Sequence, residues 1–311
     1  MAERQLTVLG TSSQVPTSLR NHVGFFLRWD KEGLLFDPGE GTQRQMTLYG
    51  VKARDISVIC LTHFHGDHCL GLPGVIQRLS LERVQHPVAL VYPASGRHFL
   101  HRLLKAAIFH NRITVHEYPV SQSGTIISRP GFEISALPLE HGVDTWGYRL
   151  QEPDSRTLLP NKIPQDVTGS ALGLLKQQGF VDSLRGRVFL EDVSVLKPGQ
   201  KFALVMDTRP CANAGTLAQG ADLVVCESTY LDTEFQQAAT YRHMTAAQAG
   251  ELAARSGVRH LVLAHYSQRY RSLGPFAEQA GRHHPQTLAA CDGQRIDLPE
   301  RKRALGPQCT E

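Results

Sequence analysis

Four side chains able to bind a metal ion fall within six consecutive residues, His63-Phe64-His65-Gly66-Asp67-His68. No other stretch of the chain restricts its fold as tightly. The run follows the apolar stretch ISVICLT (56–62) and precedes a helical pattern, so it reads as a turn between a strand and a helix. Strand alternation aims His63 and His65 the same way. The turn at Gly66 then brings Asp67 and His68 round to a second direction. Imidazoles and a carboxylate are donors suited to zinc, so one loop can serve two cations.

The rest of the chain has to supply a scaffold that delivers more ligands to that loop. Short β-branched runs separated by turn residues open the sequence: QLTVLGT, GFFLRW, GLLFDPG and ISVICLTH. They read as a β-meander feeding an antiparallel or mixed sheet. From His68 the periodicity becomes helical, placing Leu70, Leu72, Val75, Ile76 and Leu79 on one face, with Pro73 near the first turn. VALVYP reads as a strand and RHFLHRLLKAAIFH (97–110) as an amphipathic helix. ITVHEYP, TIISRPGFEISALPLEH and WGYRLQE are further strands. The second half repeats the style with KFALVMDTR, ADLVVCEST and RHLVLAHYS, and Thr245 with Gln248 forms a capping-box pattern at a helix start. Strand ends beside helix starts in both halves indicate an α/β fold, a sandwich of two sheets with helices outside.

At 311 residues the chain suits one such domain, 1–298, plus an insertion. The insertion is 151–200, where Gly, Pro and mixed charge replace the strand pattern. From 151 to 201 it holds seven Lys/Arg against six Asp/Glu, so it is not a basic arm. Residues 299–311 read as a flexible polar tail. The start, MAERQLTVLG, has no apolar core of a signal peptide, and no run is long enough to span a membrane. The six cysteines are scattered without a CxxC pair, which suits reduced thiols in a cytoplasmic protein. A net charge of +4 permits a polyanionic partner without requiring one.

Three isolated residues complete a ligand set: His141 after ISALPLE, Asp207 after KFALVM and His265 after HLVLA. Each stands where a strand ends, and loops at strand ends can converge on one edge of a sandwich. With these residues the sequence resembles the metallo-β-lactamase superfamily, whose HxHxDH loop is matched at 63–68, and the resemblance runs from VLGTSSQVPT to LAHYSQRY. It implies an αββα sandwich. It also implies two zinc ions, with manganese as an alternative: His63, His65 and His141 on the first, Asp67, His68 and His265 on the second, and Asp207 bridging.

Further motifs narrow the resemblance. VPTSLRNH (15–22), FDPGEGTQRQM (36–46), THFHGDHCLGLPG (62–74), HMTAAQAG (243–250) and LAHYSQRY (263–270) look like the tRNase Z family, closest to its short form. Pro38, Met206 and the CEST segment 226–229 depart from that pattern without removing a ligand, and CEST keeps the acid Glu227.

The resemblance implies an endonuclease that removes the 3′ trailer from precursor tRNA, leaving a 3′-OH on the tRNA and a 5′-phosphate on the trailer. Asp67 would orient the attacking water or take its proton. His243 would protonate the departing oxygen and Glu227 would orient His243. Asp37 reads as a carboxylate that fixes its loop rather than a ligand. The insertion would be a tRNA-gripping arm, with Lys162, Lys176, Arg185 and Arg187 as contacts and Arg269 as another outside it. A homodimer is also implied. The competing readings are another hydrolase on this fold, an arylsulfatase-like esterase or a cyclic-nucleotide phosphodiesterase, and a non-catalytic RNA-binding version; the complete ligand set and His243 argue against the last.

Overall fold

A computed structural model describes residues 4–301. The expected tail lies outside the described residues from 302 onward. The chain divides into two compact units, one made of the residues up to 150 with 201–299, the other built on the insertion 151–200.

Alternation along the strands of the first unit sorts its side chains into three layers of core. One seven-stranded sheet runs in the order Arg295–Asp297, Arg4–Gly10, Gly24–Trp29, Glu32–Phe36, Val58–Cys60, Val88–Pro93, Val115–Val120. The meander portion is antiparallel and the last three pairings are parallel. The second sheet runs in the order Thr287–Ala289, His260–Ala264, Leu223–Glu227, Lys201–Val205, Trp146–Gln151, Phe132–Pro138, Gly124–Arg129. Phe25, Leu27, Leu34 and Phe36 of the first sheet meet Tyr148, Phe202, Leu204 and Val225 of the second in a shared core. Across it the rings of Phe36 and Phe202 are 5.5 Å apart. Each fully buried side chain of this size contributes roughly 1.5–3 kcal/mol. The opposite face of the first sheet packs against helices Leu72–Leu81 and Arg97–Leu104. That of the second packs against Ala212–Ala218, Ala246–Arg255 and Gly274–Gly281. The layers are therefore helix, sheet, sheet, helix.

The helix after the metal-binding turn comes in two pieces, Gly66–Cys69 and Leu72–Leu81. Leu72, Val75, Ile76 and Leu79 are buried as expected, but Leu70 falls in the break between the pieces and is 52% exposed. The amphipathic helix expected over 97–110 stops at Leu104. Beyond it the Ser80 hydroxyl donates to the His110 carbonyl and accepts from the Arg112 N–H, turning the chain so that Ile113 enters the core. The capping box at Thr245 and Gln248 is present with both of its hydrogen bonds. A helix the strand patterns gave no sign of, Thr42–Leu48, follows the GEG turn, where Gly41 has φ 85°.

In the second unit, Ser155–Leu158 pairs with Ser194–Lys197, and a hairpin joins Phe180–Ser183 to Gly186–Phe189. The helix Ser170–Gln178 lies between them in sequence. No helix among the described residues is long and apolar enough to cross a membrane.

One close approach holds the turn of residues 66–71 in place. The Gly71 N–H donates to the Pro38 carbonyl, and a Cβ at Gly71 would lie 1.9 Å from the Gly39 carbonyl oxygen. Gly71→Ala should therefore push two backbone segments apart and cost about 2 kcal/mol. Thermal unfolding measures this as a fall in Tm, and an unchanged Tm would show that the two loops slide without cost.

Candidate metal centre and acid pair

Parallel strands in both sheets end at the same edge of the sandwich, and the candidate residues stand just beyond those ends. Asp37 follows the strand ending at Phe36, and His63 comes three residues after Cys60. Asp207 follows Val205 by two residues and His265 follows Ala264 directly. Three of these are turned sharply: Asp37, Asp207 and His265 have φ of 44°, 45° and 62°. A non-glycine residue in the left-handed region carries a strain of about 1 kcal/mol or more, and here it swings each side chain back over the sheet edge. The Tyr148 hydroxyl donates to the Leu61 carbonyl and the Trp146 N–H to the Thr62 carbonyl, which ties the second sheet to the strand that carries the metal-binding loop.

The seven candidate ligands come together around the buried carboxylate of Asp207. Its Oδ2 lies 3.6 Å from His63 Nε2 and 3.7 Å from His141 Nε2. Its Oδ1 lies 3.2 Å from His68 Nε2 and 3.1 Å from His265 Nε2. Asp67 Oδ2 completes the second group, 3.6 Å from His68 Nε2 and 3.5 Å from His265 Nε2. His65 Nδ1 completes the first, 2.9 Å from His63 Nε2. Ligand atoms of His63, His65, His141 and Asp207 lie within 4.8 Å of one another, as do those of Asp67, His68 and His265.

The hydrogen bonds behind the histidines fix where their protons sit. The Thr62 hydroxyl donates to Asp37 Oδ2, so it can only accept from His63 Nδ1. The Thr229 hydroxyl donates to Glu227 Oε2, so it can only accept from His265 Nδ1. His68 Nδ1 faces the Asp37 carboxylate and His141 Nδ1 faces the Arg242 carbonyl, both acceptors. In their neutral forms, all four imidazoles thus carry the proton on Nδ1 and turn the Nε2 lone pair inward. Lone pairs of His68 and His265 facing each other at 3.3 Å are repulsive unless a cation lies between them. Asp207 Oδ1 is buried without a hydrogen-bond partner, which costs free energy in a protein interior. Inward lone pairs and an orphaned carboxylate oxygen fit divalent cations in a mixed nitrogen and oxygen donor set. Burial works against a proton on His68, yet Asp207, Asp67 and Asp37 draw its pKa well up; the same negative charge would hold a metal.

Beside the cluster stands an ion pair. His243 Nδ1 lies 3.0 Å from Glu227 Oε1. Glu227 is fully buried and also accepts from the N–H groups of Thr208 and Met244 and from the Thr229 hydroxyl. Burial opposes the charge on both partners. It is overridden by their mutual attraction, so the Glu227 pKa is lowered and the His243 pKa is pushed up to about 9. Cations bound at the neighbouring cluster would push His243 back down. The His243 ring lies 4.9 Å from that of His141 and borders an open cleft of about 970 Å³.

The cleft is also bordered by His65, Asp67, Asp207 and Arg269. Leu70, Gln14 and His22 border it as well, and nothing in the sequence pattern assigned them a role there. The Gln14 N–H donates to Asp67 Oδ2 at 2.7 Å, and His22 Nε2 bonds the Gln14 carbonyl at 3.0 Å, so the VPTSLRNH loop is wired to a candidate ligand. Arg269 bonds Gln237 and lies over the Tyr230 ring. In the second unit Lys162, Lys176, Arg185 and Arg187 are all exposed. Arg187 is engaged by Asp182 at 2.9 Å and stacks on Phe180.

Comparison with known proteins agrees with this architecture. The profile of the Metallo-beta-lactamase superfamily matches residues 19–169. A protein of Streptomyces avermitilis named Ribonuclease Z is 48% identical over 97% of this chain and 100% of its own length. One of the same name from Thermobifida fusca is 48% identical over 98% of each chain. The crystal structure of the short form of human tRNase Z covers 95% of this chain and 99% of its own with a TM-score of 0.70 at 24% identity.

If the Asp37 carboxylate sets the His68 and His63 protons, Asp37→Asn should weaken metal binding about 10- to 100-fold while the chain stays folded. Titration with zinc followed by calorimetry checks this, and unaltered affinity would remove Asp37 from the metal centre.

Proposed function

The chain belongs to the ribonuclease Z family within the metallo-β-lactamase superfamily, and on that premise we propose that it is an endoribonuclease that removes the 3′ trailer from precursor tRNA, leaving a 3′-OH on the tRNA and a 5′-phosphate on the trailer. The observation that carries this reading is the full-length relationship to ribonuclease Z. It sets aside the arylsulfatase-like and cyclic-nucleotide alternatives.

His63, His65 and His141 would hold one divalent cation, Asp67, His68 and His265 a second, and Asp207 both, with zinc favoured over manganese by the imidazole-rich donor set. When bound, such a pair supplies Lewis-acid charge stabilisation at the phosphate and acidifies a water. Asp67, at the cleft, orients the attacking water. The departing group is a ribose 3′-oxygen, a strong base that leaves readily only when protonated. His243 carries that proton on Nε2, because its Nδ1–H is held by Glu227. Glu227 fixes the ring's direction and keeps it charged until the proton is needed.

The insertion 151–200 would grip the tRNA through phosphates, with Lys162, Lys176 and Arg185 exposed for that contact. Arg187, already paired with Asp182, contributes less, and Arg269 reaches RNA in the cleft itself. A homodimer and a cytoplasmic site of action, where precursor tRNA matures, complete the reading.

Incubation of the metal-loaded protein with a 3′-extended tRNA should give a single cut directly after the discriminator nucleotide; no cut, or cuts elsewhere, would overturn the assignment. His243→Ala should lower kcat about 10²- to 10⁴-fold with metal content unchanged. Loss of metal in that variant would make His243 a structural residue instead.

A further inference from the structure

We infer that the exposed face of helix Arg97–Leu104, continued by Lys105, is a landing surface for the single-stranded 3′ trailer of the substrate, an inference that rests on the reading of the chain as a precursor-tRNA endonuclease. Between Glu82 and Glu117 the sequence contains no Asp or Glu. That stretch carries Arg83, Arg97, Arg102, Lys105 and Arg112 together with five histidines. A long acid-free segment repels cations and attracts a polyanion.

The helix lies directly against the metal-binding loop. Phe64, between His63 and His65, packs on Gly96 so closely that a Cβ there would lie 2.0 Å from the Phe64 ring. The Phe99 ring is 6.0 Å from Phe64 and 46% exposed, with the His98 ring 3.9 Å away. The Ser95 hydroxyl donates to Asp144 at 2.6 Å, which joins the start of the helix to the His141-Gly142 rim of the cleft. Leu100 faces the core, while His98, Arg102 and Lys105 are spaced to share the outer side. Arg97 and His101 are drawn towards Glu117 at 3.7 and 3.2 Å. Among the described residues Arg102 and Lys105 make no ion pair. Exposed rings interleaved with unpaired cations are what a single strand needs, stacking for its bases and neutralisation for its phosphates.

The order of rings across the site gives the direction. The His141 ring is 4.9 Å from that of His243 and 5.2 Å from that of His65. His243 marks the side of the departing 3′-oxygen, which belongs to the tRNA. The other side of the scissile phosphate, which belongs to the trailer, then faces His65, Phe64 and Phe99.

The test compares 3′-extended tRNAs with a trailer of one nucleotide and of about ten, cut by the metal-loaded wild-type protein and by the double variant Arg102→Ala, Lys105→Ala. With the long trailer the variant's KM should rise about tenfold with kcat unchanged. Its log KM should depend less steeply on log salt, by about 0.7 for each phosphate that the two cations neutralise in the wild-type protein. With the one-nucleotide trailer the two proteins should match. An equal loss on both substrates, or no loss on either, overturns the inference. Arg102→Lys with Lys105→Arg should restore the long-trailer KM, and failure to do so would assign the effect to shape instead of charge, overturning the role given to the two cations. Wild-type failure to cut either substrate would overturn the ribonuclease reading itself, a result separate from the variant comparison.

Discussion

Asp207 is the constraint around which the rest of the centre is arranged. A carboxylate that is 3% exposed, with one oxygen lacking any hydrogen bond, costs several kcal/mol unless positive charge surrounds it. Four of the surrounding groups are imidazoles whose neutral forms turn lone pairs towards it, so the carboxylate draws positive charge to the cluster, as in the raised pKa of His68. Divalent cations held by these ligands would complete the balance. The left-handed backbone at Asp37, Asp207 and His265 is held at the same cluster. Folding and metal binding would therefore be linked, the strained strand ends gaining stability as the ligands close on a cation.

Much of this was legible in the chain. The 63–68 cluster is dense enough to identify by itself, and the apolar runs before Asp207 and His265 mark strand ends because alternation gives way there to polar residues. The capping box at Thr245 is a local signal and appears as written. What the chain did not display is long-range. Thr62 and Thr229 stand inside quoted motifs, yet their use depends on Asp37 and Glu227 arriving from elsewhere to take their protons. Leu70 fits a helical stripe in sequence, but the helix breaks at that point. The segment after Leu104 looks helical by composition and is turned aside by Ser80, a residue thirty positions earlier in one of its two bonds. Helical propensity is a weak prior against such a tertiary contact.

On the proposed function, the two halves of the site would divide the labour of breaking a phosphodiester bond. One is electrostatic, a concentration of lone pairs at which cations collect. The other is the Glu227–His243 ion pair, whose imidazole ring adjoins those of His141 and His265 at 4.9 and 5.4 Å. Asp207, Glu227 and His265 stand at carboxyl ends of strands, where loops can be lengthened or exchanged without disturbing the three apolar layers below.

Glu227 does more than pair with His243. Its two oxygens receive hydrogen bonds from residues 208, 229, 243 and 244, four points on three separate loops. A clasp of this kind couples chemistry to architecture. His243 can be exchanged by altering one side chain at the cleft, whereas the acid behind it cannot be altered without unfastening the loops that carry Asp207 and steady His265. Natural variation in this protein should accordingly run along the cleft wall and stop at that buried carboxylate.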